Sequence, residues 1–418
     1  MRRAQAAVNR TTGVLTRAVG RTKAPRVTDL AEPLDVRAAL RFDEVRAWLF
    51  DKALPLWSEA GLDRRHGGAA EVLDLEGRAG TGPFKRTRVQ ARQVYAFSHA
   101  RLLGWDGPAE AAADHCWRFL REHGRRADGA WIRLIAREGG AFDANADAYD
   151  IASVLYALAW RARAGDAGAI AEAHDAVDAL DRLLRVGPGL GWRAAEDNTA
   201  RLQNPHMHML EGALDLAEAS GEQRFADMAR EIMVLFRDRM FDRMTGVLPE
   251  NFADDWSPER GPERWVQPGH LYEWAWLLYR ARRVVDIDLS GEARALCDFA
   301  DRRGRDPDSG LTWDALDGQA LTPRRTFRAW PQTEALKASL ALYEHQGIDT
   351  RPRIAELMGQ LLDRYLAVAP AGSWQDCYGP GYQPLARDVP ASILYHLILA
   401  FSELLRLEPQ LSRAPSLR

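Results

Sequence analysis

Turns built on glycine and tryptophan recur along this chain at a fixed interval, and that interval constrains the fold more than any other feature. Gly129-Ala130-Trp131, Gly191-Trp192, Gly310-Leu311-Thr312-Trp313 and Gly372-Ser373-Trp374 each follow an amphipathic stretch; Trp192 comes 61 residues after Trp131, and Trp374 comes 61 after Trp313. Trp192 and Trp313 are 121 residues apart, and Gly246-Val247-Leu248 stands near the midpoint, with Leu248 where a tryptophan is expected. Gly67-Gly68-Ala69-Ala70 supplies a sixth, weaker member. A period of this size marks a supersecondary unit stacked on copies of itself.

The unit is a pair of helices followed by a short hairpin-like loop. Apolar spacing at three and four residues predicts helices over 43–60, 86–104, 109–123, 147–164, 168–185, 204–219, 222–239, 269–284, 290–302, 330–346, 351–367 and 391–407. Six such pairs can close into an all-α (α/α)6 barrel, a toroid with its hairpin-like loops at one mouth. The alternative is an open solenoid with a concave groove for a protein partner. The count of six favours closure, as do loops that carry Trp with carboxylates, amides and His. Indole faces stack on sugar rings, so such loops would line a carbohydrate pocket; their plain alternative is to plug the core.

Composition narrows the partners. With 418 residues, 46% hydrophobic and 28% charged, the chain can build one large core, and a net charge of -3 offers no overall basic field for nucleic acid. A neutral small molecule fits better. Cys116, Cys297 and Cys377 are odd in number and far apart, which argues against a disulfide framework and for a reducing cytoplasm. No apolar run reaches the roughly 18 residues of a membrane span. The first 26 residues hold seven Arg and Lys and no acidic residue. Residues 1–33 are therefore expected to form a disordered basic extension rather than a signal, 34–410 a single catalytic domain and 411–418 a tail. A monomer or homodimer is expected.

Five ordered motifs carry a resemblance. They are Lys85-Arg86-Thr87-Arg88-Val89-Gln90-Ala91-Arg92-Gln93-Val94-Tyr95, Asn204-Pro205-His206-Met207-His208-Met209-Leu210-Glu211, Pro268-Gly269-His270-Leu271-Tyr272-Glu273-Trp274-Ala275-Trp276, Trp330-Pro331-Gln332-Thr333-Glu334-Ala335 and Val389-Pro390-Ala391-Ser392-Ile393-Leu394-Tyr395-His396-Leu397. Together they resemble the N-acylglucosamine 2-epimerase superfamily, whose members share the (α/α)6 barrel. The Gly-His-x-x-Glu-Trp form and the Tyr-His-Leu ending are most similar to its D-mannose and sulfoquinovose isomerases.

That resemblance implies that His396 abstracts the C2 proton of a sugar, that His270 opens the pyranose ring, and that Arg92 faces the sugar oxygens and stabilises an enediolate. A histidine suits such a shuttle because its pKa lies near neutrality. Spacing adds candidate sugar-binding residues. Glu273 lies three residues after His270, Asn204 and His208 are one turn apart, and Trp330 and Glu334 offer a stacking face above a carboxylate. His206 points elsewhere and reads as structural. Trp374, with Asp376 and Tyr378, is a candidate for the pocket wall.

The chain has no His-Glu-x-x-His motif and no phosphate-binding glycine loop, so neither a metal nor another cofactor is expected. The leading expectation is an aldose-ketose isomerase acting on D-mannose and D-fructose. The rivals are a sugar 2-epimerase using the same histidines, an inverting glycosidase drawing on Asp143, Asp147, Asp254 or Asp255, and a non-catalytic sugar-binding scaffold.

Overall fold

Two kinds of helix alternate along the chain, and burial tells them apart in the computed structural model, which describes residues 36–259, 264–318 and 321–413. A short turn, Val36–Ala39 (α1), precedes Phe42–Trp48 (α2) and Leu54–Glu59 (α3), which a π-helical turn at Leu49–Ala53 joins into one rod. Then come Thr87–Leu102 (α4), Ala109–His123 (α5), Ala148–Arg163 (α6), Ala169–Leu184 (α7), Gln203–Ser220 (α8), Gln223–Leu235 (α9), Pro268–Ala281 (α10), Ser290–Arg303 (α11), Ala329–Gln346 (α12), Arg351–Gln360 (α13) and Ile393–Leu411 (α14). Apart from α1, which was not anticipated, these are the helices the apolar spacing predicts. Two of them, α9 and α13, end in π-helical turns at Phe236–Met240 and Leu361–Tyr365.

Helices α4, α6, α8, α10, α12 and α14 are buried on nearly every side, polar residues included. The others bury a single stripe, as in α5 with Ala112, Ala113, Cys116, Trp117, Phe119 and Leu120. Each buried helix packs on the next, α4 on α6 and so on round to α14, which returns to α4. Around this ring α5, α7, α9, α11 and α13 pack each on the helix before it, while α2 packs on α14. Closure excludes the open solenoid, and the result is the expected (α/α)6 barrel.

A short strand leads into every inner helix: Phe84–Arg86, Ala141–Ala146, Arg201–Leu202, Trp265–Val266, Phe327–Arg328 and Val389–Pro390. The last pairs with Val72–Leu73, tying the end of the chain to its beginning. Short connections make each outer helix run back antiparallel to its inner partner, so the glycine turns and strands gather at one mouth, around the N-terminal ends of the inner helices. At the opposite mouth Arg163, Arg280, Arg283 and Arg406 pair with Asp215, Glu218, Glu344 and Glu403, placing cations at the negative ends of the converging helices.

The expected basic extension, residues 1–33, lies outside the described residues, as do 414–418 of the expected tail. Leu411 ends α14, and the Arg413 carbonyl accepts from Arg351 at 2.8 Å. No helix among the described residues is long and apolar enough to cross a membrane.

Candidate active site

A cavity of about 580 Å³ opens at the strand-bearing mouth. The first turns of the inner helices supply its lining: Arg88 and Arg92 from α4, Tyr149 from α6, Asn204 and His208 from α8, His270 and Glu273 from α10, Trp330 from α12 and His396 from α14. Free N–H groups and the positive end of the helix dipole belong to that end of each helix, so the cavity floor favours negative charge.

His270 and His396 each stand on a buried carboxylate. The Nδ1 of His396 lies 2.8 Å from Glu334 Oε1, and that of His270 lies 2.9 Å from Glu250 Oε2. An ionised carboxylate can only accept, and with Glu250 and Glu334 in that form each Nδ1–H donates and each Nε2 keeps its lone pair. Asn204 Nδ2 donates to that lone pair of His270 at 3.0 Å. Gln203 bonds Glu250 Oε2 at 2.7 Å, while the Trp274 indole N–H donates to the same amide's oxygen and fixes its orientation. Trp330 lines the cavity between the two dyads, its ring centre 4.9 Å from His270 and 5.7 Å from His396.

Arg92 is the buried cation of the site. Its guanidinium donates to the Tyr149 hydroxyl at 2.7 Å and sits 4.5 Å above the Tyr395 ring, with no carboxylate within ion-pair distance among the described residues. Tyr149 also stacks on His208, centres 4.8 Å apart, and His208 leans on Glu211 at 3.2 Å. Burial pushes His396 well below its usual value, and the cations Arg92 and Lys337 push the same way, so its imidazole is neutral at pH 7. Burial drives Glu211 up, but His208, Lys337 and Tyr395 outweigh it and hold this carboxyl low.

The structure thus brings Arg92, Asn204, His208, His270, Glu273, Trp330 and His396 to one cavity. Glu334 lies behind His396 and reaches the cavity only through it, which corrects the expectation of a carboxylate beneath the Trp330 face. Trp374 requires a larger correction. It is fully buried and stacked on Trp57, away from the cavity, because the turn that carries it folds down into the shell. Trp131, Trp192 and Trp313 are likewise buried there, so the periodic tryptophans plug the barrel, and Trp330 and Trp265 present the aromatic faces instead. His206 is structural, its Nε2 accepting from the Trp192 backbone. Asp147 caps α6, Asp143 pairs with Arg133 and Asp254 with Arg201. Glu250 and Lys337 escaped the sequence reading. One lies in a loop 20 residues from the histidine it serves, and the other reads as an ordinary helix lysine.

Two buried groups, His208 with Glu211 and Glu273, and Glu273 with Glu334 and His396, have ligand atoms within 4.8 Å of one another. A cation already stands among these carboxylates. Lys337, fully buried on α12, places Nζ 2.6 Å from Glu334, 3.9 Å from Glu273 and 4.3 Å above the Trp276 ring.

Comparison with known proteins shows the family of the chain. Residues 67–400 match the sequence model of the N-acylglucosamine 2-epimerase family. A mannose-6-phosphate isomerase of Rhizobium meliloti (strain 1021) is 36% identical over 379 residues, 87% of this chain and 97% of the relative. A D-mannose isomerase of Thermobifida fusca is 28% identical over 364 residues, covering 81% and 88%. The solved cellobiose 2-epimerase of Spirochaeta thermophila superposes with a TM-score of 0.80 at 23% identity, over 90% of this chain and 99% of that one, and so shares its fold. The chain stands among the sugar isomerases and 2-epimerases, and it belongs to the N-acylglucosamine 2-epimerase family.

Proposed function

We propose that this protein is an aldose-ketose isomerase that interconverts D-mannose and D-fructose through a cis-enediolate. The observation that carries the reading is the pair of His–Glu dyads, His270–Glu250 and His396–Glu334, facing one cavity with Trp330 between them. His270 takes the anomeric hydroxyl proton of the cyclic sugar and, as an imidazolium held by Glu250, gives a proton to the ring oxygen. In the open chain His396 takes the proton from C2 and returns it to C1, while the O2 hydroxyl proton passes to O1, so that the aldehyde becomes a hydroxymethyl group and C2 a ketone. Between those steps the charge spread over O1 and O2 faces the Arg92 guanidinium, which is buried in advance and has no ion-paired carboxylate among the described residues. Asn204 Oδ1 and Glu273 Oε2 have no protein partner among the described residues, which suits them to accept from sugar hydroxyls.

Arg86, Arg88, Arg324 and Arg328 also reach the cavity and support a second reading, a sugar 6-phosphate, which the name of the Rhizobium relative also suggests. Each of these arginines already faces a carboxylate: Glu71, Asp150, Asp317 and Asp314 respectively. A rim with matched charges favours the neutral sugar.

The test is a comparison of D-mannose and D-mannose 6-phosphate in heavy water, followed by proton NMR. D-Fructose should accumulate from D-mannose well ahead of D-glucose, with deuterium entering at the exchanged carbon. Turnover of the phosphate alone would move the reading to the second sugar, and early D-glucose would move it to 2-epimerisation.

A further inference from the structure

The proton-transfer scheme uses Glu334 but gives no role to the cation beneath it. Lys337 follows Glu334 by three residues on α12, so both side chains rise from one helix face. Neither has any exposed surface, nor has Glu273. A lysine at such depth is costly unless paired; its Nζ meets no solvent, and among the described residues its close carboxylate contact is Glu334 Oε2 at 2.6 Å, with Glu273 Oε1 farther off at 3.9 Å. The other oxygen of the same carboxylate, Oε1, faces His396 Nδ1 at 2.8 Å. The three groups form one line from the ammonium through the carboxylate to the imidazole whose far nitrogen opens on the cavity.

We infer that Lys337 is a positioning residue: acting through Glu334, it sets which ring nitrogen of His396 carries the proton. This rests on reading His396 as the C2 base. An ionised Glu334 can only accept, so it draws the proton to Nδ1 and leaves Nε2 free to act as a base. A protonated Glu334 would itself donate to Nδ1, force the proton onto Nε2 and leave no lone pair facing the sugar. The surroundings press toward that inactive arrangement. Burial raises Glu334 well above the usual carboxylate range, and Glu273 on α10 and Glu211 on α8 add to the effect. Around His396 stand Arg92 on α4, His208 on α8 and His270 on α10, all of which disfavour its protonation. Against Glu334 protonation stands Lys337, whose charge is upheld by Glu334, Glu273 and Glu211 together despite its burial.

The experiment uses Lys337→Met, which keeps the stem against Trp276 and removes the charge. Its kcat should fall about 100- to 10,000-fold, the range of a general base, with a KM change small beside that loss. The acid limb of its kcat profile should move to higher pH. Nitrogen-15 NMR of the histidines should show His396 protonated at Nδ1 in the unmodified protein and at Nε2 in the variant. An unchanged acid limb together with an unchanged tautomer overturns the inference. So does a wild-type His396 protonated at Nε2, a result that needs no variant to fold. If the tautomer follows Lys337 while no aldose is turned over, the device stands and the sugar assignment fails.

Discussion

Trp374 lies flat against Trp57, ring centres 4.8 Å apart and planes 13° from parallel. One belongs to the last repeated turn and the other to α3 in the first repeat, and the Trp57 indole donates to the Gly372 carbonyl at 3.3 Å. The pair therefore fastens the end of the barrel to its beginning. Trp374→Ala should cost about 3–5 kcal/mol of stability, as large aromatic truncations in a core do, and leave kcat/KM of the folded enzyme near wild type. Trp330→Ala should do the reverse, weakening kcat/KM more than stability. Denaturant melts paired with initial rates check both. A Trp374→Ala enzyme that melts normally but has lost its substrate would return that residue to the site.

The barrel was legible because its two signals are periodic: apolar spacing marks each helix and glycine turns count the repeats. The site was legible where a motif carried it, as at His270 and His396. The tryptophans misled because an indole in a loop looks the same whether it stacks on a sugar or on Trp57. Glu250 left no trace, since its role depends on β-pairing that brings the loop before Asn251 beside Arg201–Leu202 and so under His270. Lys337 shows only in three dimensions, for nothing in Glu334-Ala335-Leu336-Lys337 distinguishes a buried ammonium from a solvated one.

Acid should destabilise the fold through its buried neutral histidines. Burial lowers His206 to about 4 and His99 to about 3, whereas an unfolded histidine titrates near ~6.5. Below that value the unfolded chain takes up protons that the folded chain refuses, so stability is lost as pH falls from about 6.5 toward 4. Thermal melts across this range should show it. His206→Gln, though less stable overall, should lose less of its Tm over the same interval, and equal slopes for the two proteins would remove His206 as a cause.

Chelation should leave turnover intact. The carboxylates that come nearest to a metal-binding arrangement, Glu273 and Glu334, already share the Lys337 ammonium. Exhaustive dialysis against EDTA, followed by assay with and without added divalent ions, measures this. Activity that vanishes and returns with a metal would show that an ion displaces the lysine.

The two histidines should leave different traces when removed, because their surroundings differ. His396 faces the cavity with a neutral ring backed by Glu334, so His396→Ala should abolish both product formation and exchange of the C2 proton, even in long incubations. His270 is held by Glu250 and Asn204 for work on the cyclic sugar. His270→Ala should therefore slow the ring form most and spare exchange on the small open-chain fraction. Losses of about 100- to 10,000-fold are expected of acid-base groups, well beyond assay error. Glu250→Gln should follow His270→Ala in kind and be milder, since the amide can still accept from Nδ1–H without stabilising the imidazolium. Deuterium exchange at C2 read by NMR beside steady-state rates separates the cases. Exchange that survives His396→Ala and disappears with His270→Ala reverses the two roles, and activity that survives both makes the histidines structural.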